Sequence, residues 1–107
     1  MNLLRALADD QSRKIIACTI YGGKSVADIV RECNIPHTTA YRLVNELKRQ
    51  GFLFVERTAV GRDGKKYLLY RSSVKNAIVK FDESQIAIEV SPNPGPDSHY
   101  GGWPDHP

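Results

Sequence analysis

The sequence predicts an α+β fold, in which three N-terminal helices are followed by two β-hairpins. Apolar residues recur at helical spacing through most of the first 50 positions. Two runs rich in β-branched and aromatic residues then flank Asp63-Gly64, a dipeptide typical of hairpin turns. A second pair of such runs flanks Glu83-Ser84. At 107 residues, the chain is long enough for one domain with a modest core.

The first helix is expected over residues 9–21, with a turn of helix from Leu3 ahead of it. Asp9 is a suitable N-cap, because its carboxylate can accept hydrogen bonds from backbone N–H groups of the first turn. Gly22-Gly23 is expected to end the helix, since glycine is common just past a helix terminus.

The second helix has a defined start and a defined end. Ser25-Val-Ala-Asp28 is a capping-box pattern, with Asp in place of the usual Glu. The helix is expected to end near Cys33-Asn34, because asparagine tolerates the left-handed backbone conformation that closes many helices. Since only a few residues separate it from the next helix, the two helices form a predicted helix-turn-helix.

The third helix is predicted over residues 36–50, and Gly51 is expected to end it. At about 100° per residue, one arc of this helix is apolar and a neighbouring arc of about 140° is polar and basic. The apolar arc comprises Ala40, Leu43, Val44 and Leu47. The polar arc comprises His37, Thr38, Tyr41, Arg42, Asn45, Lys48 and Arg49. Glu46 lies outside the polar arc, and because a surface helix ordinarily mixes charges of both signs, this segregation favours an anionic partner.

The start of the third helix has no capping residue. Pro36 restricts Ile35 to an extended conformation, and neither side chain can accept a hydrogen bond from the N–H groups of the first turn. Such unsatisfied donors at the positive end of a helix form a site for a phosphate or for water. Thr38 could instead satisfy some of them locally, so the sequence leaves these alternatives open.

The first hairpin has a basic tip. Its loop is expected over residues 61–64, and the tip carries Arg62, Lys65 and Lys66. A hairpin of this kind after a recognition helix is a wing, whose tip can lie along the phosphate backbone or reach a minor groove. The alternative interpretation is an ordinary hairpin with a solvated tip.

The second hairpin is expected over residues 77–90 and has no basic arc. Ile86, Ile88 and Val90 alternate along its second strand, which predicts one buried face. This hairpin could extend the sheet of the wing, cover the core or pair with another protomer.

Charge is distributed unevenly along the chain. Residues 42–75 hold nine Lys and Arg against three Asp and Glu, a net charge of +6, whereas the whole chain carries +3. A basic block of this kind is typical of nucleic-acid-binding proteins. The alternative is a solvated basic face without a partner.

The chain divides into three predicted regions. Residues 1–73 form a winged helix-turn-helix domain, residues 74–90 an additional β-hairpin that is a candidate dimerisation element, and residues 91–107 a flexible tail. The tail contains five Pro and three Gly and shows no apolar periodicity. The alternative to a flexible tail is a segment that docks on the domain or on a partner through Tyr100 and Trp103.

Several kinds of protein and site are not expected. There is no secretory signal and no apolar run long enough for a membrane span, so we expect a cytoplasmic protein. Cys18 and Cys33 form no CxxC motif and are expected to be reduced thiols without a metal. A redox switch at Cys33 is the alternative to a small buried residue. The chain shows no glycine-rich phosphate loop, paired-carboxylate motif or Ser/His/Asp signature, so neither an enzyme nor a cofactor is expected.

The order and spacing of several short motifs resemble the ArsR-type winged-helix regulators, and the IPxxTxYR form is similar to many archaeal winged-helix proteins. The likeness covers residues 3–72. It rests on Ala6-Leu-Ala-Asp9 with Arg13, Ser25-Val-Ala-Asp-Ile-Val30, Asn34-Ile-Pro-His-Thr-Thr-Ala-Tyr-Arg42, Leu47 and Gly51-Phe-Leu53. Metal-sensing members of that family carry a Cys-x-Cys pair, but the matching positions here are Ser25 and Ala27. The long dimerisation helix of many members is also missing, since residues 74–90 are predicted strands.

The resemblance implies a sequence-specific transcription regulator that binds double-stranded DNA with its third helix in the major groove. Candidate base contacts are His37, Thr38, Tyr41, Arg42 and Asn45. Candidate phosphate contacts are Lys48, Arg49, Arg62, Lys65 and Lys66. A homodimer on a pseudo-palindromic site is expected, because one such domain reads only a short sequence. The competing interpretation is a winged-helix module that binds other proteins of the transcription machinery, since one fold serves both uses.

Overall fold

The computed structural model describes residues 2–94, which form four helices followed by two antiparallel β-hairpins. The helices are α1 (Leu3–Ala8), α2 (Asp10–Cys18), α3 (Val26–Cys33) and α4 (His37–Arg49). The strands are β1 (Leu53–Val60), β2 (Lys66–Ser72), β3 (Val74–Phe81) and β4 (Ile86–Pro92). The predicted α+β fold, with a winged helix-turn-helix and a second hairpin, is therefore confirmed.

Asp9 separates the first two helices. Its backbone is extended, and its carboxylate accepts a hydrogen bond from the N–H of Ser12 at 2.9 Å, so the predicted N-cap is confirmed. The predicted end of this helix was wrong, because α2 stops at Cys18 rather than at residue 21. There the hydroxyl of Thr19 donates to the carbonyl of Ile15 at 2.8 Å, and the Thr19 backbone leaves the helical conformation. Local bonding by threonine therefore ends the helix before the glycines do.

The helix-turn-helix is built as its local sequence predicts. Ser25 and Asp28 form a reciprocal capping box at the start of α3, with both hydrogen bonds at 3.1 Å. Asn34 adopts the left-handed conformation at φ 54°. Its N–H and that of Ile35 both donate to the carbonyl of Val30. The buried side chain of Ile35 then ties the turn to the core.

The core lies between α2, α3, α4 and the first hairpin. The apolar arc of α4 is buried as expected. Ile15 and Ile29 from the preceding helices are fully buried against it, together with Leu53 and Tyr70 from the hairpin. This packing leaves the polar arc of α4 on the outside, because the two arcs are neighbours on one helix.

The first hairpin is joined to the helices by backbone hydrogen bonds. Lys24 and Tyr70 exchange two of them, at 2.9 and 2.8 Å. The carboxylate of Glu56 accepts from the N–H of Gly23 at 3.0 Å and from the Arg71 guanidinium at 2.6 Å. A Cβ at Gly23 would lie 2.7 Å from Glu56 Oε1, so a larger residue there would displace the Glu56 carboxylate that this N–H binds. These bonds fix the wing relative to α3.

The second hairpin forms a separate two-stranded sheet, so it does not extend the sheet of the wing. The predicted buried face on β4 was wrong. The Ile86 residue is 55% exposed and the Val90 residue 43% exposed. The reason is geometric, because within residues 2–94 only Ala77, at the base of the adjoining strand, packs against the core on this side of the hairpin. The distal half of the hairpin stands away from the helices.

The base of the second hairpin is held to the domain at both of its ends. Val74 is buried in the core at one end, and Asn93 is buried at the other. The Asn93 side-chain amide donates to the carbonyl of Ile20 at 2.7 Å and to that of Ser72 at 2.9 Å. Strand β4 and the buried Asn93 therefore extend past residue 90, where the sequence suggested the tail would begin. The remainder of that predicted tail, residues 95–107, lies outside the described residues.

Candidate nucleic-acid interface

The polar arc of α4 is fully presented at the surface. All seven of its predicted members are exposed, from His37 in the first turn to Arg49 in the last. None of the seven is acidic. The arc therefore offers hydrogen-bond donors and positive charge along the whole helix, which is about 20 Å long at 1.5 Å per residue.

One acidic residue reaches the end of this arc. Glu46 pairs with Arg49, with Arg49 Nη2 2.7 Å from Glu46 Oε2, and also accepts from the Gln50 side chain at 3.0 Å. The hydrogen bonds from Arg49 and then from Gln50 lower the pKa of the Glu46 carboxyl. Arg49 is thus partly neutralised, whereas Arg42 and Lys48 have no ion pair among the described residues.

The N-terminus of α4 is uncapped, as its sequence predicts. Pro36 has an extended backbone (φ −57°, ψ 145°), and no side chain donates or accepts a capping hydrogen bond there. The first turn also contains no acidic residue. Because backbone N–H groups and the helix dipole both favour negative charge at this end, the tip of α4 suits an anionic oxygen.

Two aromatic rings follow this tip. His37 and Tyr41 stack one helical turn apart, with ring centroids 6.3 Å apart and planes inclined by 20°. The Tyr41 residue is 56% exposed. Its ring therefore packs against that of His37 on its own helix.

A cleft of about 290 Å³ lies between α4, β2 and the start of α3. His37, Tyr41 and Lys66 all line it, so the structure brings one basic residue of the wing to the same cleft as the first turns of α4. Tyr67 also lines the cleft, and sequence reasoning missed it. The run of four apolar and aromatic residues from Tyr67 shows no clean alternation, so its pattern alone could not say which side chains are exposed.

The wing tip is shaped by an aspartate. Asp63 accepts hydrogen bonds from the backbone N–H of Lys65 at 2.9 Å and from the hydroxyl of Tyr67 at 2.8 Å. The bond from Lys65, and next that from Tyr67, lower the pKa of the Asp63 carboxyl. Gly64 adopts φ 79°, which suits glycine. Arg62, Lys65 and Lys66 are exposed around this turn, as the sequence predicts.

The two cysteines are in contact across α2 and α3. Their Sγ atoms lie 3.5 Å apart, and Cys33 is buried while Cys18 is partly exposed. Burial, and then hydrogen bonding with the neighbouring Cys33 thiol, raise the pKa of the Cys18 thiol to about 12. Within residues 2–94, no group of three or more His, Cys, Asp or Glu side chains could hold a metal ion. In the same residues, no helix is long and apolar enough to cross a membrane.

Comparison with known families decides the assignment of the helical region. Residues 1–56 match the model of the IclR helix-turn-helix domain, which covers more than half of the chain. The chain belongs to the IclR helix-turn-helix family. This domain implies a DNA-binding transcription regulator, and such regulators are typically not enzymes. None of the curated proteins compared with the chain matches it.

The IclR match corrects the resemblance to ArsR regulators. The winged helix-turn-helix regulator class is right, but the family is IclR. The motifs behind the ArsR resemblance lie mainly in α1–α4, within the residues that the IclR model also matches. Two features of ArsR proteins are missing from this chain. Residues 25–27 contain no Cys-x-Cys pair, and residues 74–90 form strands in place of a C-terminal helix.

Proposed function

We propose that this IclR-type chain regulates transcription by binding one specific double-stranded DNA sequence. In this proposal α4 enters the major groove, and the wing tip contacts the backbone or the minor groove. The observation that carries it is the polar arc of α4, which is exposed over its whole length and contains no carboxylate. A helix of this width fits the major groove, where each base pair presents a distinct pattern of donors and acceptors.

Base recognition is assigned to the side chains nearest the start and middle of α4. Arg42 suits a bidentate contact with guanine, and Asn45 suits one with adenine, each providing about 1–3 kcal/mol of discrimination. His37, Thr38 and Tyr41 would donate to base edges or to the phosphate at the helix tip. The uncapped N-terminus of α4 supports the phosphate contact, because its N–H groups meet no side-chain cap.

Phosphate binding is assigned to the remaining cations. Lys48 and the three wing residues Arg62, Lys65 and Lys66 are exposed, and they carry little information about sequence when they meet a phosphate. Arg49 belongs to this group as well, although its pairing with Glu46 weakens its contribution. The cleft between α4 and β2 supports a single continuous interface, since Lys66 lines it together with His37.

A homodimer on a pseudo-palindrome is part of the same proposal. One helix-turn-helix domain contacts only a few base pairs, and two-fold symmetric dimers commonly double the length of the site. In this arrangement each copy would place its α4 in successive major grooves on one side of the duplex, about one helical turn apart.

Selection of bound sequences from a random DNA pool at moderate salt tests this function. The expected result is a symmetric motif whose two halves are separated by about one helical turn. Retention of DNA without enrichment of any motif would leave only non-specific backbone binding. Failure to retain DNA at all would support the competing protein-interaction module.

A further inference from the structure

The second hairpin has one face that is entirely apolar. In its antiparallel register Phe81 lies opposite Ile86, Val79 opposite Ile88, and Ala77 opposite Val90. Residues directly opposite each other project from the same side of a sheet, and alternate pairs along the strands share a side. We call these six side chains the hairpin face: Ala77, Val79, Phe81, Ile86, Ile88 and Val90.

The reverse side of the hairpin is mostly polar. It carries the pairs Asn76–Ser91, Ile78–Glu89 and Lys80–Ala87. Lys80 and Glu89 form an ion pair at 2.9 Å on this side. The hairpin is therefore amphipathic, and its polar side is already suited to water.

The hairpin face is nevertheless exposed. The Phe81 residue is 80% exposed and the Val79 residue 49% exposed. Only Ala77, near the base, packs against the core of the domain. Contiguous apolar patches of a few hundred Å² on soluble monomers are often functional, and an isolated two-stranded hairpin is marginally stable in water. Both points make the face a candidate interaction surface.

We propose that the hairpin face of one chain packs on the hairpin face of a second copy. The face contains no charged or polar side chain, so a charged partner would lose solvation there without gaining an ion pair. An identical face is chemically complementary to it, and a two-fold axis brings the same patch of each copy into contact. Face-to-face packing of two such sheets at about 10 Å would interdigitate the six side chains from each copy.

The size of the face sets the strength of this dimer. An aromatic side chain can bury roughly 150–250 Å² of surface, and an aliphatic one buries less. Each copy therefore contributes on the order of 400 Å² of buried surface to the interface. A total near 800 Å² lies below the range of standard stable interfaces. We therefore infer a reversible, concentration-dependent dimer, and binding of both copies to one DNA site would strengthen it.

The anchoring of the hairpin links this dimer to DNA recognition. Val74 and Asn93 fix its base to the domain, so the two-fold axis would set the distance between the two α4 helices. That consequence rests on the proposed function, whereas self-association through the hairpin face does not. Dimerisation is therefore measured first without DNA.

The test is sedimentation velocity of the full chain over about 1–300 µM, a range that brackets the weak association expected from an interface of this size. The expected result is a reversible monomer–dimer equilibrium. Ile86→Lys should weaken it by at least tenfold, because it places a charge in the hairpin face. Ile78→Lys is the matched control, since Ile78 and Ile86 are each 55% exposed but lie on opposite sides of the hairpin. It should leave the dimer unchanged.

Several outcomes would overturn the proposal. The first is that the wild-type chain remains a monomer throughout the concentration range. The second is that Ile86→Lys and Ile78→Lys weaken the dimer equally. The third is that the full chain is monomeric but dimerises when residues 95–107 are deleted, because the chain's own C-terminal segment would then cover the hairpin face. Both substitutions are at exposed positions, so unchanged thermal unfolding verifies that the variants fold.

Measurement on DNA separates this inference from the proposed function. A dimer without any selected motif would refute the DNA-recognition proposal and leave the interface standing. A selected motif bound by a chain that stays monomeric in solution and on the DNA would refute the interface alone. On a duplex with a single half-site, Ile86→Lys should bind as the wild type does.

Discussion

His37 and Tyr41 form a parallel stack at the exposed start of α4, with their ring centroids 6.3 Å apart. His37 is the first residue of the helix, directly after the uncapped Pro36. The stack restricts the rotamers of both side chains. A pre-ordered pair loses less conformational entropy on binding than two free side chains would.

Two substitutions of Tyr41 separate its hydroxyl from its ring. Tyr41→Phe keeps the stack and removes one donor, so affinity for the selected DNA should fall by roughly fivefold, as for loss of one hydrogen bond of about 1 kcal/mol. Tyr41→Ala also removes the stack and should cost more. Fluorescence anisotropy on the selected sequence and on random DNA measures both. If Tyr41→Ala leaves the affinity for the selected sequence unchanged, the stack is outside the interface.

Arg42→Ala should reduce sequence discrimination. A bidentate contact with guanine is worth about 1–3 kcal/mol, so binding to the selected site should fall by about 5–150-fold, with little change on random DNA. Arg5→Ala, an exposed arginine on α1, is the control. Equal losses on both DNAs would reassign Arg42 to a phosphate contact.

Replacing Lys65 and Lys66 by glutamine should change the salt dependence of DNA binding. Each phosphate that the protein no longer neutralises makes the slope of log affinity against log salt shallower by about 0.9. The slope measured for the double variant should therefore be shallower than that of the wild type by up to ~2 units. Titrations at several salt concentrations measure this slope. Lys75→Gln with Lys80→Gln, on the second hairpin, provides a matched removal of two charges that should leave the slope unaltered. An unchanged slope for the wing variant would remove the wing tip from the interface.

Ser25→Ala should destabilise the folded domain by about 1 kcal/mol, because it removes the cap of α3. The reciprocal hydrogen bond from the Ser25 backbone is the largest cause that lowers the pKa of the Asp28 carboxyl. A carboxyl with a lowered folded pKa stabilises the fold above its usual value of 3.8, and that stabilisation is lost as the pH falls below this value. Urea unfolding at pH 7 and at stepwise lower pH measures both effects. Asp28→Asn should show a weaker loss of stability in the acid range than the wild type.

The Cys18 thiol should react slowly while the protein is folded. Its pKa is raised from 9.0 to about 12, so its reactive thiolate at pH 8 is at least ~100-fold scarcer than in the unfolded chain. Alkylation by iodoacetamide, followed by mass spectrometry with and without urea, measures the difference. Because the folded form holds its proton more tightly, stability should also decline as the pH rises from about 9 towards 12. Equal alkylation rates in the two states would contradict the raised pKa.

Features governed by neighbouring residues were predicted well from the sequence. The Asp9 cap, the Ser25–Asp28 capping box and the left-handed Asn34 all depend on interactions within a few positions. The apolar arc of α4 followed from periodicity, and its burial fixes the exposure of the polar arc beside it. The sequence thus predicted which side chains of α4 are presented at the surface.

The errors arose where two local rules compete or where an interaction spans the chain. Thr19 ends α2 by bonding to the carbonyl of Ile15, although glycines follow it. The buried Asn93 bonds to the carbonyl of Ile20, which no local pattern could indicate. Alternation on β4 identified an apolar face, but periodicity cannot say which surface covers it. The pairing of Glu46 with Arg49 was likewise missed, because it depends on the rotamers of two long side chains.

The Asn93–Ile20 hydrogen bond also determines when this fold can be completed. It joins positions 73 residues apart, whereas the most extensive packing connects elements that are neighbours along the chain. During synthesis, α1–α4 and both strands of the wing are made before Asn93 is added. Until then the carbonyl of Ile20 can accept from Arg71 Nε, its other side-chain donor at 3.2 Å, and the nascent winged helix lacks the Asn93 amide that secures its second hairpin.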